Sequence, residues 1–285
     1  MAEQATIGRR VAAVVSEVLG DPPDRIETVA ADSLARAELI LALEETFGVR
    51  LPDDAAFASM AEVAEAVRAV SVGLSVSPGH LGNGFGRLQW VVDAVLEVPI
   101  RRAYRLRVTG ASNVPASGPA VLASNHDSLL DIPCLVVASP RPVWFMAKVE
   151  LFWSALASRF FHALGGFPVG RGSRDLTAVR AALEVIRRGR VLGMYPEGTR
   201  APHLQEFLPG AAWVALATGA PLIPVGVSGT AEAMPRGAAL PRRTNVSLRF
   251  GERMRVGREV DPRARLERAR KVTQELRSEI ERLID

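Results

Sequence analysis

In the stretch LASNHDSLLDIP (122–133), four residues separate a histidine, His126, from an aspartate, Asp131. The apolar run AVLAS precedes the pair, and a helix is expected over 128–138. His126 then stands just outside the helix start, with Asp131 in the first turn, where its carboxylate can fold back and orient one imidazole nitrogen. The helix dipole opposes a charge on His126 while Asp131 favours it. A neutral histidine held in this way can take a proton from an alcohol as the alcohol attacks an acyl carbonyl. Taken alone, the stretch reads equally well as a polar cluster capping a helix.

A serine offers a second chemistry. In AADSLARAELILALEETFG (30–48), Asp32 is placed to cap a helix beginning at Ser33. The hydroxyl would then be exposed at the helix's positive end, where a phosphate ester is favoured. DSL on its own is also an ordinary capping pair. Three further blocks, GGFPVGRG (165–172), YPEGTR (195–200) and APLIPVGVSGT (220–230), combine glycines with Arg171, Glu197 and Arg200. Arginines bind phosphate through paired donors, glycines allow close backbone approach, and a glutamate can hold guanidinium groups or accept from a hydroxyl. No GxSxG elbow is present, so a serine acyl-enzyme has no support.

The elements that must position these residues fall into two groups. Helical periodicity runs over 6–19, 33–47 and 59–70, which predicts a small helical bundle. The stretch SVGLSVSPGHLGNGFG (71–86) then replaces periodic patterning with Gly, Pro and small residues, as a flexible linker does. Beyond it an amphipathic helix leads toward a strand. Strands are then expected at AVLAS, PVWFMA, RVLGMYP, LIPVGVS and NVSLRFG, with helices over 128–138, 151–163, 175–188, 211–218 and 262–284. The pattern is α/β: a helical module over 1–72, a linker over 73–86, and a domain over 87–285 with a central mixed sheet flanked by helices.

Charge divides along the same boundary. Residues 1–80 carry 6 Arg and 13 acidic residues, a net of −7, leaving 29 of the 35 basic and 18 of the 31 acidic residues in 81–285, a net of +11. Such opposed fields can steer two modules together or draw the basic one to anionic membrane. Cys134 is the only cysteine, which rules out an intrachain disulfide and suits a reducing cytoplasm. His80, His162 and His203 lack partners at metal-ligand spacing, and no metal is expected. No signal peptide or spanning helix is read, and the apolar, arginine-flanked region 85–107 is a candidate for lying on a lipid surface.

Over residues 4–71 the first module resembles an acyl carrier protein, in its DSL motif, acidic second helix and short third element. The resemblance implies 4′-phosphopantetheine attached to Ser33 by a phosphopantetheinyl transferase, and an acidic face of Glu38, Glu44 and Glu45 read by partner enzymes. Ala31 departs from the glycine common near this motif. The four blocks of the second module stand in the order and approximate spacing of the glycerolipid acyltransferase family that includes bacterial 1-acylglycerol-3-phosphate acyltransferases. This resemblance, over roughly 105–255, makes His126 the base and Asp131 its orienting partner. It also implies that Lys148, Arg171, Glu197, Gly198, Thr199 and Arg200 surround the acceptor phosphate and glycerol. Leu208 replaces a cation common after the third block.

Together the two resemblances imply an enzyme of phospholipid biosynthesis, peripheral on the cytoplasmic face of the cell membrane. An acyl group would pass from a phosphopantetheine thioester, on the carrier in cis or on coenzyme A, to the sn-2 hydroxyl of 1-acylglycerol 3-phosphate, giving phosphatidic acid. The partners implied are a lysophospholipid acceptor, an acyl thioester donor, the modifying transferase and an anionic membrane surface, with no nucleic acid. Two alternatives stay open: O- or N-acylation of another lysolipid or specialised-metabolite acceptor, and a non-catalytic carrier or adaptor.

Overall fold

The second helix of the first module shows how closely local chemistry sets the elements. In the computed structural model, which describes residues 2–20, 32–52, 57, 59–71, 87–169, 176–201, 203–238 and 240–285, Asp32 caps it. Asp32 Oδ1 accepts from the amides of Leu34 (2.9 Å) and Ala35 (3.2 Å), satisfying donors that a helix start leaves open. Gly48, at φ +65°, closes the other end in the left-handed conformation that glycine adopts without strain. This helix, α2 (Ser33–Phe47), packs with α1 (Ala2–Leu19) and α3 (Met60–Ser71) around Val11, Val15, Ile40, Leu43, Val63 and Val67. The expected linker at 73–86 lies outside the described residues.

The second module opens with α4 (Arg87–Ala103) and builds one seven-stranded sheet: β1 (Arg107–Thr109), β2 (Ala120–Ser124), β3 (Val143–Lys148), β4 (Gly166–Val169), β5 (Val191–Met194), β6 (Leu222–Ser228) and β7 (Ser247–Phe250). Their spatial order is β1-β7-β6-β2-β5-β3-β4, and every neighbouring pair is parallel except β6 with β7. The helices between strands are α5 (Asp131–Ala138), α6 (Ala155–Ala163), α7 (Leu176–Arg187), α8 (Gly210–Thr218) and the short α9 (Thr230–Ala233), and α10 (Pro262–Ile284) closes the domain.

β2 is central and buried on both faces, as the middle strand of a parallel sheet must be. Its side chains alternate. Val121 and Ala123 join α7, α8 and α10 in one core, whereas Ala120 and Leu122 join α4 and α5 in the other. The end of α10 lies so close to β6 that a Cβ on Gly226 would meet Leu283 Cβ at 2.5 Å.

The expected strands all form within a few residues of their predicted bounds. The helix expected over 128–138 begins only at Asp131, because Ser128 is held in a turn by bonds from its hydroxyl to Met234 O and from Leu130 N to that hydroxyl. The helix expected over 151–163 is broken: a 3-10 turn at Val149–Phe152 precedes α6, whose cap is Ser154. β4 was read from sequence only as a glycine-containing block.

Candidate active site

The loop that leaves the C-terminal end of β2 is tied down on both sides. Asn125 is buried, and its side chain both donates to Val227 O (2.9 Å) and accepts from Val227 N (2.8 Å), extending the β2–β6 pairing by one amide. Next comes His126, whose Nδ1 lies 2.8 Å from Asp131 Oδ2. That oxygen also accepts from the amides of Asp127 (2.8 Å) and Ser128 (2.9 Å). Asp131 is fully buried and begins α5, so the carboxylate folds back over the start of its own helix, as the spacing suggests. A carboxylate acceptor at Nδ1 places the proton there and leaves Nε2 as the basic nitrogen. The imidazole is 14% exposed and stacks on the Tyr195 ring, with centroids 4.1 Å apart and planes at 24°.

Glu197 is tied to the backbone on both sides. Its carboxylate accepts from the backbone amides of His126 (2.7 Å) and Gln205 (3.0 Å), and its side chain is buried. It braces the histidine loop against the loop after β5. Each oxygen accepts one backbone N–H, which fixes the carboxylate between the two loops. Ala201 N donates to His126 O (3.0 Å), adding a second tie between the same two loops.

The remaining candidates follow β5 or end other strands on the same edge of the sheet. Gly198 has φ +67°, and a Cβ there would come within 3.0 Å of the Leu208 side chain, so the turn requires glycine and abuts the position where the cation is missing. Gly198 and Thr199 are exposed, and Arg200 is half-buried without an ion pair to any described residue. Lys148 ends β3, two strands from β2. Arg171 lies outside the described residues.

Two neighbours were not singled out from sequence. Asp127 is half-buried, and its carboxyl is pushed up to about 6, chiefly by burial, then by the nearby Asp131 charge and, more weakly, Glu197; the Asn125 hydrogen bond and His126 act against them. Tyr195 has a buried hydroxyl with no hydrogen-bond partner, and burial, followed by Asp131, raises its pKa well above the ordinary phenol value. Burial and Asp131 likewise push the Cys134 thiol up to about 12, leaving it a packing residue. His162 bonds Gly166 O (3.1 Å) and packs on Phe152, as expected of a structural histidine.

The acidic face of the helical module is partly covered. Ser33 is exposed at the start of α2 and Glu45 is exposed, but Glu38 is only 1% exposed and Glu44 is half-buried. An exposed hydroxyl at a capped helix start suits a phosphodiester, and Arg270 stands by, paired to Asp32 at 3.2 Å.

Residues 105–228 match the family described as Acyltransferase, and residues 9–70 match the family described as Phosphopantetheine attachment site. The 1-acyl-sn-glycerol-3-phosphate acyltransferase of Bacillus subtilis is 28% identical over 148 residues, covering 52% of this chain and 72% of that protein. The chloroplastic enzyme LPAT1 of Arabidopsis thaliana is 31% identical over 140 residues, covering 47% of this chain and 39% of that protein, well short of its full length. The crystal structure of the 1-acyl-sn-glycerophosphate (LPA) acyltransferase PlsC from Thermotoga maritima superposes with a TM-score of 0.52 at 26% identity, covering 67% of this chain and 81% of that one.

Proposed function

From a chain that joins an acyltransferase domain to a phosphopantetheine-attachment domain, we propose an enzyme that acylates the sn-2 hydroxyl of 1-acylglycerol 3-phosphate, yielding phosphatidic acid. The observation that carries this reading is the His126 Nδ1–Asp131 Oδ2 bond of 2.8 Å, which makes Nε2 the basic nitrogen. With Nδ1 committed to the carboxylate, Nε2 takes the proton from the acceptor hydroxyl as its oxygen attacks the acyl carbonyl. The same nitrogen then returns the proton to the departing sulfur, so no covalent acyl-enzyme is required. Asp131 fixes the tautomer and steadies the charge that develops on the ring.

Ser33 is the residue that would bear the prosthetic arm, which supplies the acyl group as a thioester when attached. Acceptor recognition falls to Arg200 and Arg171, with Lys148 at the same edge of the sheet; their charges match a phosphate monoester. Glu197 keeps the histidine loop and the phosphate loop in register.

The working surface belongs at a membrane, because the acceptor is a lipid. Val95 and Val98 on α4 and Trp153, Leu156 and Phe160 on or before α6 are exposed, and α4 packs against α6. These residues support a shallow lipid contact broader than the 85–107 segment considered from sequence, since Ile100 and Tyr104 of that segment are buried in the domain. No described helix is long and apolar enough to cross a membrane.

Intact-mass analysis of acyl-loaded protein before and after incubation with lysophosphatidic acid tests the reading. Loss of the acyl group from Ser33 with appearance of phosphatidic acid is the expected result. Retention of the acyl group together with inactivity toward acyl-coenzyme A would overturn it.

A further inference from the structure

The acidic helix of the carrier module is seated on the catalytic module of the same chain. Glu38 Oε2 accepts from the indole N–H of Trp213 on α8 and from Arg265 Nε on α10 (3.2 Å), and Glu38 Oε1 accepts from Arg265 Nη2 (2.5 Å). Further along α2, Glu44 pairs with Arg180 of α7, whose guanidinium also donates to Leu51 O (2.9 Å). Apolar packing accompanies the charges: Leu34 and Leu41 of α2 reach the α7–α8–α10 core, while Leu176, Val179 and Leu266 pack into the core of the carrier.

A carboxylate as buried as Glu38 is costly unless donors surround it. Its side-chain donors, Trp213 and Arg265, come from the other module. The seat is therefore built for this carboxylate, and separating the modules leaves Glu38 solvated and Arg265 and Trp213 open.

The seat also holds the start of α2 beside α10. Asp32, next to Ser33, meets Arg270 on α10. Seven residues along that helix, about 10 Å, Arg277 donates to Gln205 O (3.3 Å), and Gln205 N is bound to Glu197, which holds His126 N. An extended phosphopantetheine spans about 15 Å at the length per bond of an extended chain. One helix thus runs from beside the carrier serine's cap to a residue that braces the histidine loop, and such an arm is longer than the helical segment between them.

We propose that α7, α8 and α10 form a docking surface dedicated to the chain's own carrier, and that the docked arrangement is the acyl-delivery state. Loading of Ser33 by any enzyme that reads the Glu38–Glu44 face then requires release. This rests on the acyl-transfer reading above and adds to it the surface and the sequence of states.

The test uses full-length protein carrying Arg265→Ala, Trp213→Phe, or the exchanged pair Glu38→Arg with Arg265→Glu. In protein without the prosthetic group, hydrogen exchange across the α2 amides should speed up at least tenfold in Arg265→Ala, with β2 and β6 unchanged, and should return toward native protection in the exchanged pair. Modification of Ser33 by a phosphopantetheinyl transferase of broad carrier tolerance should become faster in Arg265→Ala. Single-turnover transfer from preloaded Ser33 should fall at least tenfold, while transfer from free acyl-pantetheine should stay within about twofold. Native α2 protection in both Arg265→Ala and Trp213→Phe, or equal losses with the two donors, would overturn the proposal. If native protein acylates no lysophospholipid from either donor, the acyl-transfer reading fails, and the exchange and Ser33-modification measurements by themselves uphold or overturn docking.

Discussion

The Tyr195 ring lies over the His126 imidazole at 4.1 Å between centroids, nearly parallel to it. Together with the Asp131 bond this fixes both the tilt and the direction of the ring, and the phenol hydroxyl takes no part because it has no partner. Tyr195→Phe should therefore keep turnover near native and raise stability by about 1 kcal/mol, the cost of a buried polar group left unbonded. Tyr195→Ala should reduce kcat about tenfold. Chemical denaturation and steady-state kinetics on the two variants check this, and a large loss of turnover in Tyr195→Phe would give the hydroxyl a role.

His126→Ala should lower acyl transfer by roughly 10²- to 10⁴-fold, the usual worth of a general base. The fold and the modification of Ser33 should persist, because the imidazole touches neither core. Asp131→Asn should lose less turnover, since the base survives while its orientation is weakened. Single-turnover rates with circular dichroism as a folding control decide it; near-native transfer by His126→Ala would remove the histidine from the chemistry.

Acceptor recognition by charge gives a third expectation. Arg200→Ala and Arg171→Ala should each raise KM for lysophosphatidic acid roughly tenfold to a hundredfold, as loss of a charge-assisted bond does. An acceptor lacking phosphate should be affected far less. Equal effects on both acceptors would make these arginines structural.

Asp127 gives a pH signature. Its folded pKa, about 6, lies above the ordinary carboxylate value because of burial and the neighbouring Asp131 and Glu197 charges. The folded state therefore holds this proton over the range from about pH 4 to 6 in which the unfolded chain releases it, and the group's contribution to stability falls as pH rises through that window. The melting temperature of Asp127→Asn relative to native protein should thus be near zero difference at pH 4 and climb to a plateau above pH 6. A difference independent of pH would reject the shifted carboxyl.

Lipid contact is expected to centre on Trp153 and Leu156, which are 83% and 79% exposed. Replacing both by Ala should weaken binding to vesicles containing anionic phospholipid at least tenfold, since burial of one large apolar side chain is worth about 1.5–3 kcal/mol. Sedimentation with vesicles at two salt concentrations measures this. Unchanged binding would move the contact elsewhere.

Much of the site was legible because its determinants are local. The His126–Asp131 spacing implied the fold-back, and DSL with Asp32 implied a capped helix at Ser33; the structure has both. The bracing bonds of Glu197 were not legible, because a motif names a residue without saying where its oxygens point. The seating of the acidic face was hidden for a longer-range reason. Glu38 reads as one acid on an acidic helix, and nothing near it in sequence announces partners 175 and 227 residues away. Arg265 in turn looks like one more basic residue on a periodic terminal helix. Pairings of that kind depend on how two modules fit together, which neither module's own pattern encodes.

The position of α10 has a consequence for biogenesis. The ribosome makes this helix after every element on which it lies, yet Leu266 lines the core of the carrier, Arg265 neutralises Glu38 and Leu283 covers Gly226 of β6. The helical module is therefore incompletely covered until α10, more than 190 residues later in the chain, is made. During that interval the nascent chain exposes the apolar face of α8 and an unmatched acidic helix, surfaces open to chaperones and proteases. A translation product that stops before residue 262 would keep them exposed.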